Sequence, residues 1–285
     1  MMDNVFITDN WAQTLEQAYG FKRGLLDCGT SHLPYMIDRR CGINNYFSMP
    51  LDTYGGPIGY GKDFVDLTRR FYDLPGFGYR YIVAYDQQVV DRRFGVSKRS
   101  CEILHLTDKG YLWKKMHKDN RTSIRAASAH QTTMEIGNHN AAKRLLTSHV
   151  DGHEDIPERL LDAMRDCMGD YYVPMVAWSG DMHITPSAAS VFFLYGDTMM
   201  YWANMVSPIG RQTKANYALL WTAILYALNS GCTMFNFGAS PEGAAYLVKF
   251  KRSWGTISYD YNVYYRIPML MRPIMKVRDL CKRYY

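Results

Sequence analysis

Over the first hundred residues, short apolar runs sit between glycines, prolines and charges, whereas later runs are longer and repeat at helical spacing. "GLLDCGT" and "LPYMIDRR" are apolar-rich and bounded by turn residues, as short strands are. In "FSMPLDTYGGPIGYG", Pro50, Gly55, Gly56 and Pro57 predict an extended, turn-rich loop. "DFVDLTRRFYDL" has apolar residues at helical spacing, which predicts a helix with Asp63 as its N-cap. "GYRYIVAYD" returns to a strand pattern.

From Asp108 turn signals thin out and positive charge accumulates. Lys109, Lys114, Lys115, His117, Lys118, Arg121 and Arg125 surround a partial apolar stripe of Trp113, Met116, Ile124 and Ala127. This predicts one or two basic helices bridging two halves of the chain. "NAAKRLLTSHV" and "PERLLDAMRDCM" read as amphipathic helices, with Pro157 in a first turn. "YYVPMVAWSGDMHITPSAASVFFLYGDTMMYWANMVS" reads as strands joined by turns, and "NYALLWTAILYALNSG" as an apolar helix ended by Gly231. "CTMFNFG" then reads as a buried strand. Alternating strands and helices argue an α/β or α+β layered fold.

Composition narrows the class. With 285 residues, 47% hydrophobic and 21% charged, the chain suits one large or two ordinary globular domains. A net charge of +6 favours an anionic partner, although a merely basic enzyme fits it equally. The six cysteines form no C-x-x-C pair, so neither a zinc site nor a disulfide framework is expected. "MMDNVFITDN" lacks the basic and apolar regions of a secretory signal, and no apolar run approaches membrane-spanning length. The expected localisation is the cytoplasm.

Several familiar chemistries fail on the residues. Gly238 and Gly243 have P-loop spacing, but Ala244 and Ala245 stand where phosphate binding needs Lys and Ser or Thr. His149 and His153 lie beside Asp151, Glu154 and Asp155, yet Gly152 makes this a polar loop, and no metal is expected. A G-x-S-x-G elbow is missing, and none of the cysteines has a clear histidine partner.

The order of motifs carries more than any one of them. "MPLDTYGGPIG" precedes the basic "WKKMHKDNRTSIRAA", then "YGDTMMYWANMVSP", "NYALLWTAILYALNSGCTMFNFGAS" and "KFKRSWGT". That succession, over residues 45–258, resembles the Fem family of peptidoglycan-bridge aminoacyltransferases within the GNAT acyltransferase superfamily. The resemblance implies two packed GNAT-like halves with mixed sheets flanked by helices. The expected division is an N-terminal half at 1–110, and a basic bridging helix with the C-terminal half at 111–285. It also implies amide formation, by transfer of an aminoacyl group from aminoacyl-tRNA to an amine of a cell-envelope precursor or peptide. No cofactor is expected beyond that co-substrate, with acyl-CoA as the alternative donor.

Candidate residues follow. Lys249, Lys251 and Arg252 offer local positive charge; read as a strand, Lys249 and Lys251 share one face with Phe250 opposite. The resemblance puts Lys251, with Phe250 beside it, at the acyl-transfer centre, and Trp254 beside the cations can flank a groove. A solvated basic edge is the plainer reading of the same run. Tyr54, Gly55 and Gly56 can shape the acceptor groove or simply form a tight connector. Lys114, Lys115, Lys118, Arg121 and Arg125 offer phosphate contacts for tRNA, the two arginines sharing a helix face that can clamp one anion. Equally, they form the solvated face of a linker.

"SPIGRQTKANYALLW" is the nearest equivalent of the Q/R-x-x-G-x-G/A turn that holds acetyl-CoA pyrophosphate. It is incomplete, which disfavours that donor, though Arg211 and Lys214 can still meet a phosphate. The tail "PMLMRPIMKVRDLCKRYY" mixes apolar and basic residues and can make peripheral contact with an anionic membrane or dock on its own domain. A non-catalytic RNA- or nucleotide-binding relative is the remaining alternative.

Overall fold

The computed structural model of the chain describes residues 3–51, 53–84, 91–148, 156–180, 185–240 and 243–268. The basic tail and the paired histidines His149 and His153 lie outside the described residues. Among the described residues, no helix is long and apolar enough to cross a membrane.

In chain order the elements begin α1 (Asp9–Tyr19), β1 (Lys22–Cys28), β2 (Ser31–Arg40), β3 (Ile43–Ser48), α2 (Phe64–Tyr72), β4 (Arg80–Ala84) and β5 (Gly95–His105). Next come α3 (Lys109–Lys115), α4 (Lys118–Ala129), β6 (Thr133–Ile136), α5 (His139–Leu146), α6 (Glu158–Met168), β7 (Tyr172–Trp178) and β8 (Ala188–Tyr195). The series ends with β9 (Thr198–Val206), α7 (Pro208–Gln212), α8 (Ala215–Asn229), β10 (Met234–Ala239), α9 (Ala245–Arg252) and β11 (Ile257–Arg266). The fold is α/β, a mixed sheet flanked by helices. By contacts the chain forms two units: Phe6–Arg99 with the residues from Asp260 on, and Met2–Val5 with Ser100–Tyr259. The expected division at 110 therefore differs twice, because the boundary falls inside β5 and the end of β11 counts with the first unit.

The first unit has strand order β1-β2-β3-β4-β11. Its strands pair antiparallel except β3 with β4, whose parallel pairing requires the crossover that α2 supplies. α2 forms because Phe64, Leu67, Thr68 and Phe71 fall on one face, where they are buried. Asp63 precedes it, but its side chain makes no capping bond to the helix. The carboxylate instead accepts a bond from Ser31 Oγ at 2.8 Å.

Sequence reading also passed over α1, which Thr8 caps by accepting a bond from the Trp11 amide and which buries Trp11, Leu15 and Ala18. The expected Gly55 groove is a close-packed connector. A Cβ at Gly55 would sit 2.3 Å from the Ser48 carbonyl carbon, and the Gly55 amide bonds the Val83 carbonyl. Tyr54 is buried, packed edge-on to Tyr261, so its hydroxyl is not offered to solvent.

Arg80 is the unit's most unusual core residue, since a fully buried guanidinium needs its donors satisfied. It donates to the carbonyls of Leu74, Gly76 and Gly78 and lies over the Tyr46 ring, 5.0 Å from its centroid. Burial lowers its pKa to about 10.

The second unit has strand order β5-β10-β9-β8-β7-β6. Val173, Met175 and Ala177 of β7 join the α8 core, while Tyr172 turns the other way and bonds His139 of α5. Both faces being covered, all seven β7 residues are buried. The basic segment is two helices, as its pattern predicted, and α3 and α4 belong to this unit. Leu112, Met116 and Ile124 are buried in the same core as Leu220 and Ile224 of α8.

Arg80→Met is expected to destabilise the protein by about 3 kcal/mol, because three inward-facing carbonyls lose their donor. Urea unfolding of the variant and the wild type measures it.

Candidate acyl-transfer site

β10 is apolar where it meets the core, through Phe235 and Phe237, and polar at buried Asn236 between them. It pairs parallel with β9 only from Met234↔Thr198 to Asn236↔Met200. On its other side the ladder with β5 steps from Asn236↔Ile103 to Ala239↔Cys101, three positions against two, which is a bulge. Gly238 sits at that bulge with φ 70°, a conformation that favours glycine, and its amide donates to Asn236 Oδ1 at 2.8 Å. On the side of β9 the end of β10 is thus held by side chains in place of a ladder.

Lys251 completes this arrangement. Its side chain is 4% exposed, and Nζ donates to the carbonyls of Gly238 at 3.1 Å and Ala239 at 2.6 Å. Burial pushes its pKa down to about 8, with the Cys101 thiol and the Glu102 carboxylate opposing that shift. The strand expected here is a helix, α9. Leu247, Phe250, Lys251 and Trp254 recur three and four apart, so one helical face carries the inward residues and Lys249 stays exposed.

The neighbours of Lys251 are fixed by their own partners. Glu102, itself buried, accepts bonds from Arg252 Nε at 3.1 Å, Thr256 Oγ1 at 2.8 Å and Ser258 Oγ at 2.6 Å. Arg252 is therefore tied to a buried carboxylate. Trp254 is 1% exposed and packs among Tyr217, Phe237 and Phe250, so it serves the core and does not flank an open groove. Ser253 joins α9 to the α3–α4 junction through Asn120 and the His117 amide. Gly255 fits against Lys115, whose Cγ would lie 2.9 Å from an added Cβ.

The basic helices present Lys114, Lys115, Lys118 and Arg125 to solvent. Arg121 is already engaged, donating to the carbonyls of Trp113, Lys114 and Met116 at the end of α3. Arg125 lies over the Trp113 ring at 5.5 Å. The expected two-arginine clamp is accordingly absent: Arg121 serves as a helix cap.

Before α8 the chain closes tightly. Ser207 Oγ accepts from the Gly210 amide, while the Arg211 and Thr213 amides bond the carbonyls of Ser207 and Ile209. Gly210 is required there, since a Cβ would sit 1.8 Å from the Ser187 carbonyl oxygen. Arg211 and Lys214 are exposed beside the first turn of α8. Asn216 in that turn accepts a bond from Asn204 of β9 at 2.8 Å, and Asn204 also donates to Ser190 Oγ at 2.9 Å. Sequence reading missed Asn236, Glu102 and this polar bridge, although a lone Asn between two phenylalanines was a visible signal.

Residues 118–252 match a family model described as an acetyltransferase (GNAT) domain. No curated protein matches the sequence. Among solved structures, FemX is 11% identical with a TM-score of 0.70, covering 95% of this chain and 94% of its own. L-PGS from Bacillus licheniformis is 12% identical with a TM-score of 0.56, covering 95% and 91%. A conserved protein of unknown function from Bacteroides thetaiotaomicron is 11% identical with a TM-score of 0.59, covering 92% and 90%. The GNAT match thus lies in the second unit, and the fold of the chain is Fem-like.

Lys251 yields a pH test. An unfolded lysine titrates near 10.5 and the buried one near 8, so between these values the unfolded chain binds more protons and stability rises with pH. Relative to Lys251→Met, the wild type is expected to gain about 2 kcal/mol from pH 8 to above pH 10. Denaturant unfolding of both proteins across that range checks the sign.

Proposed function

We propose that the chain is an N-acyltransferase that moves an aminoacyl group from aminoacyl-tRNA to an amine of a cell-envelope precursor or peptide. The reading rests on the buried Lys251 ammonium at the bulge that ends β10. In the reaction the amine nitrogen bonds to the ester carbonyl carbon. The ester C–O bond then breaks, and the nitrogen's proton leaves with the departing hydroxyl. Such a reaction needs positioning and a cation near the developing oxyanion more than a covalent intermediate. An ammonium has three donors; two go to Gly238 and Ala239, and the third serves the oxyanion.

The choice of donor rests on the turn before α8. The amides of Gly210, Arg211 and Thr213 are spent on internal bonds, which disfavours a pyrophosphate cradle there. Exposed Lys114, Lys115 and Lys118 supply the phosphate contacts a tRNA requires. Acyl-CoA is the second reading, favoured by the exposed Arg211 and Lys214 beside α8.

Incubation with charged tRNA or with acyl-CoA, and with an amine acceptor, separates the two by which label is transferred. Lys251→Met is expected to lower kcat about a hundredfold with the productive donor. Activity retained in that variant would remove the catalytic role. Lys114→Gln with Lys118→Gln is expected to raise KM for tRNA and reduce the salt slope by about one per lost phosphate contact. An unchanged slope would move the tRNA surface elsewhere.

A further inference from the structure

Phe77 is 81% exposed, the largest value for any large hydrophobic residue among those described. Its loop is not loose. Between α2 and β4 the carbonyls of Leu74, Gly76 and Gly78 are held by Arg80, and that of Pro75 accepts a bond from the Tyr46 hydroxyl at 2.8 Å. Gly78 fits directly on β3, where a Cβ would sit 1.8 Å from the Asn44 carbonyl oxygen. The Tyr79 amide bonds Asn45 Oδ1 at 3.0 Å. A buried arginine and two neighbouring side chains thus fix a turn whose tip holds a phenylalanine in water.

The same end of the unit is cationic. Asn44 faces Arg39 across the β2–β3 ladder, and Ile43 faces Arg40; both arginines are exposed. Lys22, also exposed, starts β1 opposite Ile37 on the same end of β2. The acidic groups nearby are engaged: Asp38 is buried against Arg40 at 2.8 Å, and Asp73 pairs with Arg93 at 2.7 Å. Of the three other exposed large apolar residues described in the unit, Val96 is near the start of β5 and two lie elsewhere along the β1–β2 ladder. Leu25 is opposite Pro34 in mid-strand, and Tyr60 lies at Ser31, the far end of β2.

We infer that this end of the first unit docks on an anionic phospholipid surface, with Phe77 entering the interface and Lys22 and Arg39 against the head groups. A protein partner would call for a contiguous apolar patch, whereas a single exposed aromatic at a cationic end of the unit matches a wet, charged boundary. Anionic leaflets attract each such cation, and an aromatic ring gains by leaving water there. The inference uses neither the basic tail nor the acyl-transfer reading.

Sedimentation of the full chain with vesicles tests it, using phosphatidylcholine with and without phosphatidylglycerol. Binding is expected only with the anionic lipid, and to weaken with salt. Phe77→Ser should weaken it about tenfold and Arg39→Gln about fivefold. Both residues are exposed, so the variants keep the fold, which circular dichroism verifies. Phe77→Trp should retain binding, with emission shifting to the blue when anionic vesicles are added. No binding to anionic vesicles overturns the inference. So does Phe77→Ser binding as the wild type does, or a blue shift produced by RNA or protein and not by vesicles.

Discussion

A positive charge inside a protein must be given oxygen ligands, and Lys251 finds two in consecutive carbonyls at the end of β10. Much of the second unit follows from that requirement. The β10 ladder with β9 stops at Asn236, and the bulge against β5 turns the carbonyls of Gly238 and Ala239 toward the ammonium. α9 must lie with its last turn on the same spot, which fixes Trp254 in the core and places Arg252 on Glu102. Glu102 in turn gathers Thr256 and Ser258, so the start of β11 is set by the same cluster.

A GNAT domain with an interrupted strand pair and a helix beginning beside it leaves backbone groups and one buried cation facing the same region. In the proposed reaction such a scaffold would stabilise charge that develops during acyl transfer without supplying a nucleophile of its own. The fold alone does not choose among donors, because function resides in the site placed on it. In this chain the proposed donor rests on the turn of Ser207–Thr213, where hydrogen bonds close on themselves.

The fold was legible where periodicity and burial agree. The α2 stripe of Phe64, Leu67 and Phe71, the apolar α8 and the strand around Phe235 and Phe237 all read correctly from spacing. α9 was misread because "KFKR" alternates like a strand over four residues. The helical face appears only when Leu247 and Trp254 are counted with Phe250 and Lys251. Lys251 was visible as a charge, but its burial was not, since its carbonyl partners are set by a bulge that no local pattern announces. Arg121 was misjudged for a similar reason: its partners are backbone carbonyls at the end of the preceding helix, which residue identities do not reveal. At Gly55 the glycine signal marked close approach, and of its two readings the backbone packs as the tight connector.

β11 crosses the boundary between the contact units, and its residues from Asn262 to Arg266 pair with β4, some 180 positions earlier. On the ribosome the first unit is therefore made early but lacks an edge for most of synthesis. Its β4 strand, buried in the finished protein, has no partner on that side until the chain has passed residue 266. The second unit has by then been translated in full. The unit that comes first in the gene is thus the one whose sheet is finished last, and neither can be cut out as one uninterrupted stretch of sequence.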